Sequence, residues 1–226
     1  MRINQFIASS TGLSRRAADT AIATGRVQVD DQPAVLGQIL PSAARVTLDG
    51  QPLALPQTYT YLMLNKPIGY VSSRASQGER PMLYTLLPPQ YHTLRIVGRL
   101  DQDSSGLVLL TDDGAFTHTH THPSFGKTKI YELTLARPLK PADSQKLSMG
   151  VMLNDGPSHV TVLAHNGRQV RVSVNEGRNR QLRRTFGALG YTVEKLHRTQ
   201  MGDYSLGDLP EGQWRIIQPA AVGGKS

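Results

Sequence analysis

Residues 97–114, VGRLDQDSSGLVLLTDDG, place four aspartates (Asp101, Asp103, Asp112 and Asp113) in a chain whose formal net charge is +8. A carboxylate beside an arginine and a run of small residues can clamp a metal, act as a nucleophile or sit in a surface turn. The metal reading draws on FTHTHTHPSFG downstream, where His118, His120 and His122 alternate. On a strand all three would point the same way, and Asp101 and Asp103 could add oxygen ligands for hydrolytic chemistry. On a helix a spacing of two scatters the rings around the axis. Without a carboxylate at a fixed spacing the pattern does not specify a site, and no metal is assigned. A serine hydrolase has less support, because no Gly-x-Ser-x-Gly occurs and SSG at 104–106 is a turn composition. A Walker phosphate loop is missing as well, since GRNRQLRR lacks the Gly-Lys-Ser/Thr end.

The second concentration of reactive side chains is basic. Between Asn175 and Arg198 there are six Lys/Arg against two acids. NRQLRRTFGALG reads as a helix, with Leu182, Phe186 and Leu189 at i, i+4 and i+7 and Gly190 as its cap. Arg180 and Arg184 are then i, i+4 neighbours, and Arg183 lies beside Arg180 at i+3. A solvated helix face is the plain reading. Four arginines in seven residues, however, repel one another unless an anion lies near, and phosphates or a carboxylate would serve. A pI near 9.9 points the same way: it favours polyanionic partners, of which nucleic acid is the commonest, over solubility alone.

The elements that must position these groups fall into two sets. Residues 3–26 read as two short helices, the second N-capped by Ser14 and ended at Gly25. RVQVDDQPAV and ARVTLDGQPL read as a strand with a tight turn and a hairpin with Asp-Gly at its turn. These elements make a small module over residues 1–55, followed by a linker at 54–59. From residue 60 to 219 a strand-rich unit is expected: YLMLNKP and GLVLLTDDG as buried strands, and KIYELTLARPL with Tyr131, Leu133 and Leu135 on one face. RQVRVSV puts Val170, Val172 and Val174 on another such face. The fold class is α+β, a mixed, largely antiparallel sheet with few helices; the tail at 220–226 carries no pattern. With no cysteine, disulfides, zinc–thiolate sites and a thiol nucleophile are excluded. No run of apolar residues is long enough for a membrane span or a signal peptide, so a cytoplasmic chain without a membrane partner is expected.

Five segments, in order, resemble the bacterial ribosomal-RNA pseudouridine synthases of the RsuA type. LNKPIGYVSS is similar to their segment before the catalytic strand, and GRLDQDSSGLVLLTDDG to their Gly-Arg-Leu-Asp motif. KTKIYEL resembles their Lys-x-Tyr strand, EGRNRQLRRTFGALGYTVEKLHR their Arg-rich helix, and GDLPEGQWR their C-terminal signature. The first 50 residues resemble the small RNA-binding module named after ribosomal protein S-four. The resemblance implies isomerisation of a uridine in ribosomal RNA to pseudouridine, with no cofactor, by an enzyme expected to be monomeric. It implies that Asp101 is the nucleophile, that Arg183 pairs with that aspartate, and that Tyr131 packs on the target uracil. Arg99 would lie near the stack vacated by a flipped base, and Lys66 would at most contact RNA. Arg180 and Arg184 are assigned to phosphates, as are Arg15, Arg16 and Arg26 of the small module. Net charge over residues 1–55 is only +1, from five Arg and four Asp, so that module assists docking. Asp103, Asp112 and Asp113 are read as turn and capping residues. The competing reading is a non-catalytic RNA-binding ribosome-assembly factor.

Overall fold

A computed structural model describes residues 1–56, 58–74 and 78–219; residue 57 of the expected linker and the tail at 220–226 lie outside the described residues. The chain divides into two units, Met1–Thr60 with Asp112–Gly114, and Tyr61–Thr111 with Ala115–Ser226. In the first, α1 (Ile3–Thr11) and α2 (Arg15–Ala23) pack over strands β1 (Val27–Val29), β2 (Gln32–Pro33), β3 (Val46–Leu48) and β4 (Gln51–Leu53). Apolar residues at helical spacing on α1 and α2 meet alternate residues of β1 and β3, which gives a core of Ile3, Ile7, Ala18, Ile22, Val27 and Val46. Ser14 caps α2 by accepting a hydrogen bond from the Ala17 N–H at 3.0 Å. Both hairpins turn on two residues with positive φ, Asp30 and Asp31 in one and Asp49 and Gly50 in the other. That geometry matches the right-handed twist of the flanking strands and explains the Asp-Asp and Asp-Gly pairs.

The second unit is built on β5 (Tyr61–Lys66), β6 (Arg95–Val97), β7 (Ser105–Thr111), α3 (Gly114–Thr121), β8 (Lys129–Leu135) and α4 (Pro141–Met149). It continues with β9 (Val151–Leu153), β10 (Gly156–Ser158), β11 (Thr161–Asn166), β12 (Gln169–Val174) and α5 (Gln181–Ala188), then β13 (Val193–Met201), β14 (Tyr204–Ser205) and β15 (Trp214–Ile216). The main sheet runs β11-β12-β8-β13-β7-β5-β15. β5 and β7 are buried on both faces, with Leu62, Leu64, Val108 and Leu110 in one apolar cluster and Met63, Leu107 and Leu109 in the other. This is why they read as unbroken apolar runs. β8 and β12 alternate instead, with Tyr131, Leu133 and Leu135 and then Val170, Val172 and Val174 turned inward. The fold is therefore the expected α+β class, a mixed and mostly antiparallel sheet. Among the described residues no helix is long and apolar enough to cross a membrane.

One step in that order is parallel: β13 pairs with β7 through His197↔Ser105 and Arg198↔Gly106. Ser105 and Gly106, read from composition as a turn, thus open a buried strand. Glycine serves the strand rather than a turn there. Its φ is +106°, and a Cβ built on it would lie 2.3 Å from the Arg198 carbonyl oxygen and 2.6 Å from the Arg198 nitrogen. Both contacts are with backbone, which cannot swing away. Gly106→Ala is therefore expected to destabilise the protein by about 3 kcal/mol or more, combining strain at positive φ with a backbone clash. Urea unfolding of wild type and variant measures it, and an equal midpoint would refute the close approach.

Candidate active site

Asp101 lies between β6 and β7, and the loop after β5 clamps it on both sides. Ser72 Oγ donates to the Leu100 carbonyl at 2.8 Å and accepts from the Leu100 N–H at 3.2 Å. Beyond Asp101, the Gly69 N–H donates to the Gln102 carbonyl at 2.8 Å, and Gln102 Nε2 donates back to the Gly69 carbonyl at 3.0 Å. Lys66 holds that loop in shape. Its side chain is fully buried, and its amine donates to the Pro67 carbonyl at 2.8 Å and the Tyr70 carbonyl at 2.9 Å. The expected RNA contact by Lys66 is therefore corrected: the apolar run that ends in Lys66 carries its stem inward, and its donors are used on backbone. Burial lowers its pKa to about 8, against the opposing pull of Asp101, Asp103 and Glu211.

The arginine helix meets this segment through Asp103 more than through Asp101. Arg180 donates from Nη1 and Nη2 to the two Asp103 carboxylate oxygens at 3.1 and 2.8 Å, and its Nη1 lies 3.8 Å from an Asp101 oxygen. Arg183, expected to pair with Asp101, instead has Nε 3.2 Å from Asp103 Oδ2. Its Nη2 donates to the Asp103 carbonyl at 2.7 Å and its Nη1 to the Val193 carbonyl at 2.6 Å. The backbone explains the exchange. Arg180 is not inside the helix but at its N-cap, with φ 47° and ψ 31°, a left-handed conformation uncommon outside glycine. That removes it from the i, i+4 stripe shared with Arg184. Asp103, read as a turn residue, is thus the hub of both guanidiniums, and hydrogen bonding from Arg180 holds its carboxyl below the usual range. Arg184 faces a carboxylate too, donating to Asp155 at 3.0 and 2.8 Å. Arg178 reaches the same Asp155 and the Gly156 and Pro157 carbonyls.

A cleft of about 600 Å³ opens beside this network, lined by Asp101, Lys129, Tyr131, Arg180, Leu196 and Arg198 among others. Tyr131 is buried in its wall, and the Arg198 guanidinium carbon lies 6.0 Å from its ring centroid. Arg198 is itself buried, donating to the Leu107 carbonyl at 2.8 Å and the Gly98 carbonyl at 2.5 Å. Sequence reasoning overlooked it as a structural cation. A second cleft of about 590 Å³, lined by Gly69, Ser72, Arg80 and Gln102, shares Arg99, Asp101 and Arg180 with the first. In the small unit, Arg15 and Arg16 are exposed at the start of α2, and Arg26 pairs with Asp49. The Thr-His stretch is helical. His120 is buried and stacked on Phe116 with centroids 4.0 Å apart, while His118 and His122 face each other at 4.9 Å. Among the described residues no group of three or more His, Asp or Glu is placed to hold a metal ion.

The RNA pseudouridylate synthase family model matches residues 60–188, the stretch that holds the aspartate shared by two clefts, the arginine beside it and the buried tyrosine. The chain belongs to that family, whose members are isomerases, and within it to the RsuA type that its motifs resemble. Ribosomal small subunit pseudouridine synthase A of Escherichia coli (strain K12) is 38% identical over 230 residues, covering 96% of each chain. The enzyme of that name from Yersinia pestis is 36% identical, covering 96% of this chain and 94% of its own. A crystal structure of a pseudouridylate synthase superposes with a TM-score of 0.71 at 32% identity, covering 96% of both chains.

Lys66 makes a pH prediction. Its folded pKa of about 8 lies below the ordinary 10.5, so between those values the unfolded chain binds the extra proton. Wild type should therefore gain about 3 kcal/mol of stability relative to Lys66→Met as pH rises through that window, with a constant difference below it. Denaturant melts at a series of pH values test this; a flat difference would refute it.

Proposed function

We propose that this enzyme isomerises a uridine of small-subunit ribosomal RNA to pseudouridine, with Asp101 as nucleophile acting on a base flipped into the Tyr131 cleft. The observation that carries the reading is Asp101 at the junction of two clefts, with Arg180 3.8 Å from its carboxylate. A carboxylate is both a usable nucleophile and a tolerable leaving group, and the Arg180 guanidinium gives it a cationic neighbour. Asp103 positions that guanidinium and Arg183 braces Asp103, so Arg183 acts through its neighbours rather than on Asp101 directly. Tyr131 would pack on the uracil, its ring oriented by the Arg198 contact. Arg99, common to both clefts, would fill the vacated stack, since a base inside a helix is beyond reach. Arg15, Arg16 and Arg26 would meet phosphates. The enzyme would act as a monomer in the cytoplasm. The small-subunit assignment rests on the names of relatives that align over nearly the whole chain. A non-catalytic assembly factor would have no use for an aspartate placed at the junction of two clefts.

Two expectations follow. A strain lacking the gene should lose one pseudouridine from small-subunit ribosomal RNA. Wild type should restore it, and Asp101→Asn should not, although the variant folds and binds RNA as before. Pseudouridine mapping decides this, and restoration by the asparagine variant would remove Asp101 from the chemistry. The second concerns the arginines. Because Arg180 and Arg184 are already paired to carboxylates, losing either should change the slope of log affinity against log salt by less than the roughly 0.7–0.9 of a phosphate contact. Arg180→Met should slow single turnover at saturating RNA by about 10²-fold, whereas Arg184→Met should mainly lower stability. Salt titrations and single-turnover rates of both variants test the division.

A further inference from the structure

Two inward-facing side chains of β8 line the main cleft: Tyr131 and, two residues before it, Lys129. Strand alternation puts them on one face. Lys129 is 8% exposed, and its ammonium has three donors. Among the described residues its amine makes one hydrogen bond, to the Lys127 carbonyl at 3.3 Å. Glu176, the carboxylate that attracts it, is engaged by Arg178 at 3.0 Å and by Gln181. Arg198, the other buried cation of the wall, is by contrast spent on two backbone carbonyls. A buried ammonium with unused donors costs stability unless an acceptor arrives. Uracil brings two carbonyl oxygens.

We propose that Lys129 is a further catalytic residue, donating to a carbonyl oxygen of the target uracil and stabilising the charge that the ring carries during isomerisation. This rests on the reading that the cleft takes the base. The Asp101 carboxylate bonds to C1′ as the bond from C1′ to N1 breaks with its electron pair on the uracil, and the ring turns. C5 then bonds to C1′ with a ring electron pair as the bond from C1′ to Asp101 breaks and returns its pair to the carboxylate; C5 gives up its proton, and N1 gains one. Nothing is oxidised, reduced or consumed. Between those two bond changes the uracil is anionic, with its charge spread onto the carbonyl oxygens. A fixed cation that is already desolvated meets that charge without reorganising.

The test compares RNA carrying uridine or 5-fluorouridine at the target. Fluorine stabilises the uracil anion by itself, so the cation matters less for that substrate. Lys129→Met should slow consumption of target uridine in single turnover at saturating RNA by roughly 10²–10³-fold. It should slow consumption of 5-fluorouridine at least about tenfold less, with RNA affinity little changed. Lys129→Gln, which keeps a donor without the charge, should fall between, and it carries the comparison if circular dichroism shows Lys129→Met unfolded. Equal slowing on both substrates would mean a structural role, and loss of affinity alone a phosphate contact. Normal rates would mean no role. Each of these overturns the proposal. Absence of pseudouridine formation by wild type would instead overturn the function on which it rests.

Discussion

The two-residue parallel contact between β7 and β13 is the constraint on which the site depends. It joins β11, β12 and β8 to β5 and β15 in one sheet. Arg198 sits at the seam, opposite Gly106 on one side and opposite Tyr131 on the other. Asp101 is five residues before Gly106 in the chain, and the Arg198 guanidinium ties back to Gly98, just ahead of Asp101. Asp101, in the segment that leads into β7, and Tyr131, on β8, which does not pair with β7, are thereby referred to one residue. Only glycine allows the backbones to approach that closely, and two backbone carbonyls that accept from the guanidinium make a buried charge tolerable there.

Around this seam the protein uses its arginines inwardly. Asp103 gathers Arg180 and Arg183, and Asp155 gathers Arg178 and Arg184, so two acids organise four cations that would otherwise repel. The first pair fixes the start of α5 against the Asp101 segment, and the second fixes α5 to the β9–β10 hairpin. The basic surplus of this region is thus partly a framework, which leaves cations such as Arg99, Arg15 and Arg16 outside these ion pairs. Lys66 and Lys129 divide the remaining work. One is consumed in shaping the loop that clamps Asp101, and the other keeps donors free in the cleft.

What the sequence by itself determined was everything written in local pattern. Apolar pattern located β5, β7, β8, β12 and α5 but not β13, Ser14 located a helix start, and Asp-Asp and Asp-Gly located the hairpin turns, because these signals act within a few residues. The ordered motifs sufficed for the family and for naming Asp101 and Tyr131 as the residues of interest. Only the tertiary structure decided which charges meet. Arg180 and Arg183 reach Asp103 across 77 and 80 residues of chain, and a one-residue αL cap redirects Arg180 in a way that no helical wheel anticipates. The same holds for Lys66, whose burial depends on strands closing over it, and for Gly106, whose turn-like composition answers to a backbone 92 residues away. Periodicity follows from local geometry and so survives in one dimension, whereas an ion pair exists only once distant segments are packed within a few ångströms.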